Sequence, residues 1–158
     1  MNRFKIYALV MSLLLLVVAC GKNSDDKAPS KPVYTGERLG DIEKSWKLVS
    51  VNDVEPQFTV YVEFYNDMFY IYQQVYSLIY EAYMGDYDVD YNIVSGTYAD
   101  GTDWKCSYIG ELSESGDVLT LTSCEKNPIV NVYEECTIPQ EIIDEAETRA
   151  TVGFDYHF

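Results

Sequence analysis

The sequence predicts an all-β fold: an antiparallel meander of eight strands, then one helix and a short ninth strand. Three observations carry this. Phe58, Val60, Val62 and Phe64 alternate with Thr59, Tyr61, Glu63 and Tyr65, the period of two expected of a strand with a core face and a wet face. Similar short runs recur between residues that accept turn dihedrals: Val54-Glu55-Pro56, Asn66-Asp67, Asp90-Tyr91-Asn92, Asp100-Gly101, Ser115-Gly116 and Asn127-Pro128. A helical period is clear only near the end of the chain.

In order, the strands are expected near 46–52, 57–66, 68–74, 79–89, 92–99, 103–112, 117–125 and 129–137. Links this short join antiparallel neighbours. Residues 73–84 also fit a helix, because Tyr76, Tyr80 and Tyr83 keep helical spacing with no Gly or Pro between them. After the eighth strand, Thr137 and Gln140 have capping-box spacing, and Pro139 sits where a first turn tolerates it. Ile138, Ile142 and Ala146 line one face of a helix expected to run to about Arg149. Val152, Phe154, Tyr156 and Phe158 then alternate with polar or small residues, predicting the ninth strand.

The N-terminus carries an address. Arg3 and Lys5 precede an apolar run from Ile6 to Val18, and small Ala19 stands before Cys20, the layout of a secretory signal. With the cysteine in that place the segment resembles the lipobox of bacterial lipoproteins; the other reading is an ordinary signal with a chance cysteine. The resemblance implies cleavage before Cys20 and diacylglyceryl transfer to its thiol. It divides the chain into a signal peptide (1–19), a lipidated flexible tether (20–39) and one folded domain (40–158). The tether holds Lys22, Asn23, Asp25, Asp26, Pro29 and Pro32 and few apolar residues, so it cannot bury enough surface to order itself. Ser24-Asp25-Asp26 resembles the acidic tag that sends some Gram-negative lipoproteins to the outside of the outer membrane. The expected location is therefore the outer membrane, lipid-anchored, at the cell surface.

The chain carries 26 acidic residues and 11 lysines and arginines. Two of the basic residues precede Cys20 and none of the acidic ones do, so the mature chain has a net charge of −17. Such a field repels nucleic acid and anionic membrane surfaces, and it keeps an exposed domain soluble. The partners expected are the membrane, through the N-terminal lipid, and a small hydrophobic ligand, with no nucleic acid. Three cysteines remain for disulfide chemistry. A three-residue loop with Gly116 in the left-handed position would set Ser113 opposite Asp117, and hence Cys106 opposite Cys124. A bridge between Cys106 and Cys124 is one reading; three buried thiols packed as small apolar groups is the other.

Eight meander strands, a helix and a returning strand form an order that resembles the lipocalins, which implies an eight-stranded barrel around a small apolar ligand. Trp46-Lys47-Leu48-Val49, the run Ile93 to Gly101 with Trp104 after it, and Gly110-Glu111-Leu112 leading to Asp117-Val118-Leu119-Thr120-Leu121-Thr122 resemble the lipocalin-like domain of lipoproteins from gut-dwelling Gram-negative anaerobes. The likeness spans about residues 40–158. It departs from the lipocalin pattern at Lys44, where a glycine is expected two residues before the first-strand tryptophan.

Chemistry is sparse. The one histidine is His157, with no nucleophile motif beside it, so no catalytic residue and no enzyme activity are expected. Neither a glycine-rich phosphate loop nor a Cys-x-x-Cys pair is present, and no cofactor is expected. Asp86, Asp88 and Asp90 have calcium-loop spacing, but Tyr91 stands where that loop needs glycine and Thr97 where it needs glutamate, so no metal is expected there. The three carboxylates mark the outer face of the fourth strand, which turns Tyr83, Tyr87 and Val89 inward. The expected ligand-binding set is Phe64, Phe69, Ile71, Tyr83, Tyr87 and Tyr108, suited to a neutral or cationic apolar molecule in so negative a field. The competing reading is a barrel filled by Phe58, Phe64, Phe69 and Trp104. Its outer tyrosines, drawn from 15 in the chain, would then contact a protein or glycan, or serve only as good strand formers.

Overall fold

The computed structural model describes residues 36–75 and 78–148. Eight antiparallel strands form a closed barrel: β1 (Ser45–Val51), β2 (Thr59–Tyr65), β3 (Met68–Gln74), β4 (Glu81–Asp90), β5 (Ile93–Tyr98), β6 (Tyr108–Leu112), β7 (Val118–Ser123) and β8 (Val130–Glu135). Each strand pairs with the next in sequence, and β1 pairs with β8 from Trp46↔Glu135 to Val51↔Asn131 to close the ring. A helix, α1 (Gln140–Glu145), follows, and then β9 (Glu147–Thr148), which pairs parallel to β4 at Glu81 and Ala82. Turn chemistry sets the tight hairpins. Asn66 and Asp67 both take positive φ, 51° and 60°, as a two-residue loop matched to strand twist requires.

The interior is a continuous apolar cluster. Trp46, Val60, Val62, Phe64, Phe69, Val94, Leu119, Leu121 and Tyr133 are almost wholly buried, each large side chain contributing about 1.5–3 kcal/mol. One end of the barrel is closed by the segment before β1. Leu39 and Ile42 join the core, the Leu39 amide donates to the Tyr91 carbonyl at 3.0 Å, and Trp46 Nε1 donates to the Ile42 carbonyl at 3.0 Å. Leu39, placed in the tether by composition, is thus part of the folded unit. Lys44, the departure from the lipocalin pattern, reaches Glu135 Oε2 at 2.6 Å and the Gly116 carbonyl at 2.9 Å, pinning this end across β8 and the β6–β7 turn.

Several expectations are corrected. The wet face assigned to β2 is dry at Tyr61: α1 covers it, and Tyr61, Tyr72, Ala82, Ile138 and Ile142 form a second buried cluster outside the barrel. The Thr137–Gln140 capping box does not form. Pro139 stands at the helix start with no side-chain cap, and Gln140 Nε2 donates instead to Asp144 Oδ1 at 2.8 Å. The helix ends at Glu145, short of Arg149, because Ala146 turns extended and the chain pairs with β4. The ninth strand expected at 152–158 lies outside the described residues, as do Cys20, the tether up to residue 35, and His157. The helical alternative for 73–84 is not adopted at either end, which lie in β3 and β4.

The β6–β7 hairpin is slipped by one residue from the expected register. Tyr108 faces Ser123, and the Cys124 amide donates to the Ser107 carbonyl at 2.9 Å. Gly116 does take the left-handed conformation, φ 74°. Asp117, however, belongs to the loop: its amide donates to Ser113 Oγ at 3.2 Å, and its carboxylate accepts from the hydroxyls of Ser113 and Ser115. Those hydroxyl donors also hold its carboxyl below the usual carboxylate range. The slip aligns Cys124 with Ser107, leaving Cys124 exposed while Cys106 packs against the interior. Cys106, Cys124 and Cys136 are all free thiols, and the expected Cys106–Cys124 bridge is not formed.

Candidate functional site

Alternation along β2, β3, β4 and β6 brings the expected ligand set together on the inner face. Phe64, Phe69, Ile71, Tyr83 and Tyr108 belong to one cluster, with Tyr87 packed against it, and Asp86, Asp88 and Asp90 are exposed as expected. These residues are spent on one another. Ring centroids lie 4.7 Å apart for Phe64–Tyr87, 5.0 Å for Phe69–Trp104 and 6.0 Å for Trp104–Tyr108. Tyr83 donates to Glu81 Oε2 at 2.8 Å. The space bounded by Trp46, Val62, Phe64, Leu119, Leu121 and Tyr133 has no room for a water molecule. Burial drives the Tyr108 and Tyr133 phenols far above their ordinary range.

Open space lies where two strands part. β5 pairs with β6 only at Ile93↔Ile109 and Val94↔Tyr108. Beyond Val94, β5 turns back on its own loop: the Tyr98 amide donates to the Thr102 carbonyl at 2.8 Å, and the Trp104 amide to the Gly96 carbonyl at 2.9 Å. Thr97 Oγ1 adds a hydrogen bond to Asp103 Oδ1 at 2.8 Å. This fold-back is why β6 starts at Tyr108 and not at 103. Gly96 makes room for it, since a Cβ there would stand 2.4–2.8 Å from the Trp104 ring. Between the diverging chains lies a cleft of about 460 Å³, walled by Tyr87, Gly96, Trp104 and Cys106 and rimmed by Asp86, Asp88 and Asp103. Its walls include no lysine or arginine.

A second cleft of about 370 Å³ lies beside it, between β4 and the segment that closes the barrel; Tyr87 and Asp88 line both. Burial and the nearby carboxylates of Glu43, Asp67 and Asp41 push the Tyr87 phenol up to about 12. A negative field therefore converges on this ring. Among the described residues, no group of three or more His, Cys, Asp or Glu side chains is set to hold a metal ion.

Of the expected set, Tyr87 alone lines the open clefts. Gly96, Asp103 and Trp104 were not expected at a site. The available signal was Gly96 inside a strand pattern, which marks a bulge or a close approach by another group. Comparison of the chain with protein-family models, with curated proteins and with solved structures finds no match.

Proposed function

We propose that this chain is an exported, lipid-anchored, lipocalin-like barrel protein that binds a small amphipathic molecule without catalysis, in the cleft where β5 and β6 part. The cleft carries the reading. Its volume of about 460 Å³ lies within the range of small-molecule sites, and it combines aromatic walls with a few polar groups, whereas the interior is filled by its own side chains. Carboxylates at the rim beside Tyr87 and Trp104 suit a neutral or cationic apolar molecule, since aromatic faces and carboxylates both attract cations. The lipobox-like segment ending at Cys20 supports the anchor, and Ser24-Asp25-Asp26 supports display at the outer surface.

One experiment tests anchor and site together. Cys20→Ser should release the chain from membrane fractions, because lost acyl chains forfeit about 0.8 kcal/mol per buried methylene. The released protein should bind a cationic, environment-sensitive dye at about one per chain, at least tenfold more weakly after Tyr87→Ala and unchanged after Tyr65→Ala, which alters an exposed ring. Retention in the membrane refutes the anchor, and absence of saturable binding refutes the site. The packed interior favours a second reading, a filled barrel that contacts a protein or glycan through its surface, and absent dye binding would support it.

A further inference from the structure

The two clefts share more than a boundary. Following the strand pairings across the surface, Asp103 bridges to Thr97 on β5, Thr97 faces Asp86 on β4, and the Tyr87 amide donates to the Asp67 carbonyl in the β2–β3 turn. That path crosses three strand spacings, about 14 Å, with Tyr87 between its ends. Carboxylates stand at both ends: Asp103 and Asp86 on the first cleft, Asp67, Asp41 and Glu43 on the second. Arg38 is the one basic residue lining either cleft. Part of each carboxylate group is used locally, as Asp103 accepts from Thr97, Asp41 from the Glu43 amide at 2.9 Å and Glu43 from the Asn66 amide at 3.1 Å. Each carboxylate nonetheless keeps further acceptor capacity.

We propose that the two clefts form one groove taking an extended polyamine, its terminal ammonium groups on the Asp103 and Asp67 ends and its methylene body against Tyr87. This deepens the reading of the β5–β6 cleft as the binding site and rests on it. A monoamine meets the carboxylates of one cleft alone; a chain with cations about 14 Å apart reaches both. The observation that selects a long polycation over a short cation is the shared ring, with open volume and carboxylates on each side of it.

Calorimetric titration of the full chain in phosphatidylcholine nanodiscs, with spermine, 1,4-diaminobutane and butylamine as probes, tests this. The expected result is spermine binding at one per chain, at least tenfold more tightly than butylamine, with the diaminobutane close to butylamine. Asp67→Asn combined with Asp41→Asn should abolish the advantage of spermine over butylamine when both are titrated into the same variant. Both substitutions preserve the fold, because asparagine accepts the positive φ of residue 67 and can still accept the Glu43 amide. Spermine no tighter than butylamine, an advantage that survives the double substitution, or several spermines bound per chain overturns the proposal while leaving the first cleft standing. Absence of binding by all three amines and by the dye removes both.

Discussion

At Gly96 the missing side chain lets Trp104 approach β5 and wall the cleft. Its φ is not in the left-handed region, so alanine there meets no backbone penalty and its cost reports the ring contact alone. Gly96→Ala should cost about 1–3 kcal/mol, the usual price of overpacking, read as a lower urea midpoint with a red-shifted tryptophan emission. Unchanged stability and emission would show that the ring moves aside freely. Residue-level legibility followed range. The outward turn of Asp86, Asp88 and Asp90, and with it the inward turn of Tyr83 and Tyr87, follows from a period of two within one strand. Trp104 was invisible as a cleft wall because its place depends on the loop folding back on β5, a contact that no local pattern encodes.

The helix α1 does for the outer surface what Leu39 and Ile42 do for one end of the barrel. Tyr61 and Tyr72 look like the wet face of β2 and β3 when each strand is read alone, and the excess of tyrosine looks like an exposed platform. A six-residue helix covers them, and burial raises both phenols above their ordinary range. Ile142 is the helix residue buried on this face. Ile142→Ala should cost about 2 kcal/mol, the low end for such a truncation because the cluster is small and peripheral, and should speed amide exchange at Tyr61 and Tyr72. A change below about 0.5 kcal/mol would mean that the helix is undocked in solution. Strand existence and order were legible from turn residues and alternation. The β6–β7 register was not, since one aspartate held by two serine hydroxyls moved from strand to loop.

For the molecule as a whole, buried phenols set the alkaline limit of stability. Tyr61, Tyr72, Tyr87, Tyr108 and Tyr133 all titrate above the ordinary value of 10.0, Tyr87 at about 12. The folded chain therefore binds more protons than the unfolded chain above pH 10. The stability these groups confer is complete below that pH and is lost as pH rises from 10 towards 12 and beyond. A net charge of −15 at pH 7 adds repulsion in the same direction. Absorbance at 295 nm should show part of the tyrosine signal appearing only together with loss of the β circular dichroism. Full ionisation near pH 10 with the dichroism intact would contradict this burial.

The pairing that closes the barrel also sets a clock. Every other contact within the eight-stranded ring joins sequence neighbours and can form as soon as one hairpin has been made, but Trp46 on β1 must wait for Glu135 on β8. The two residues stand 89 positions apart, so closure carries the loop entropy of nearly the whole barrel and follows the hairpins. Through that interval β1 holds one partner and shows an unpaired edge, with Trp46 not yet enclosed by the closed ring. The window in which this chain is vulnerable to proteases and to strand exchange with its neighbours is thus written into its topology, and it ends when β8 arrives.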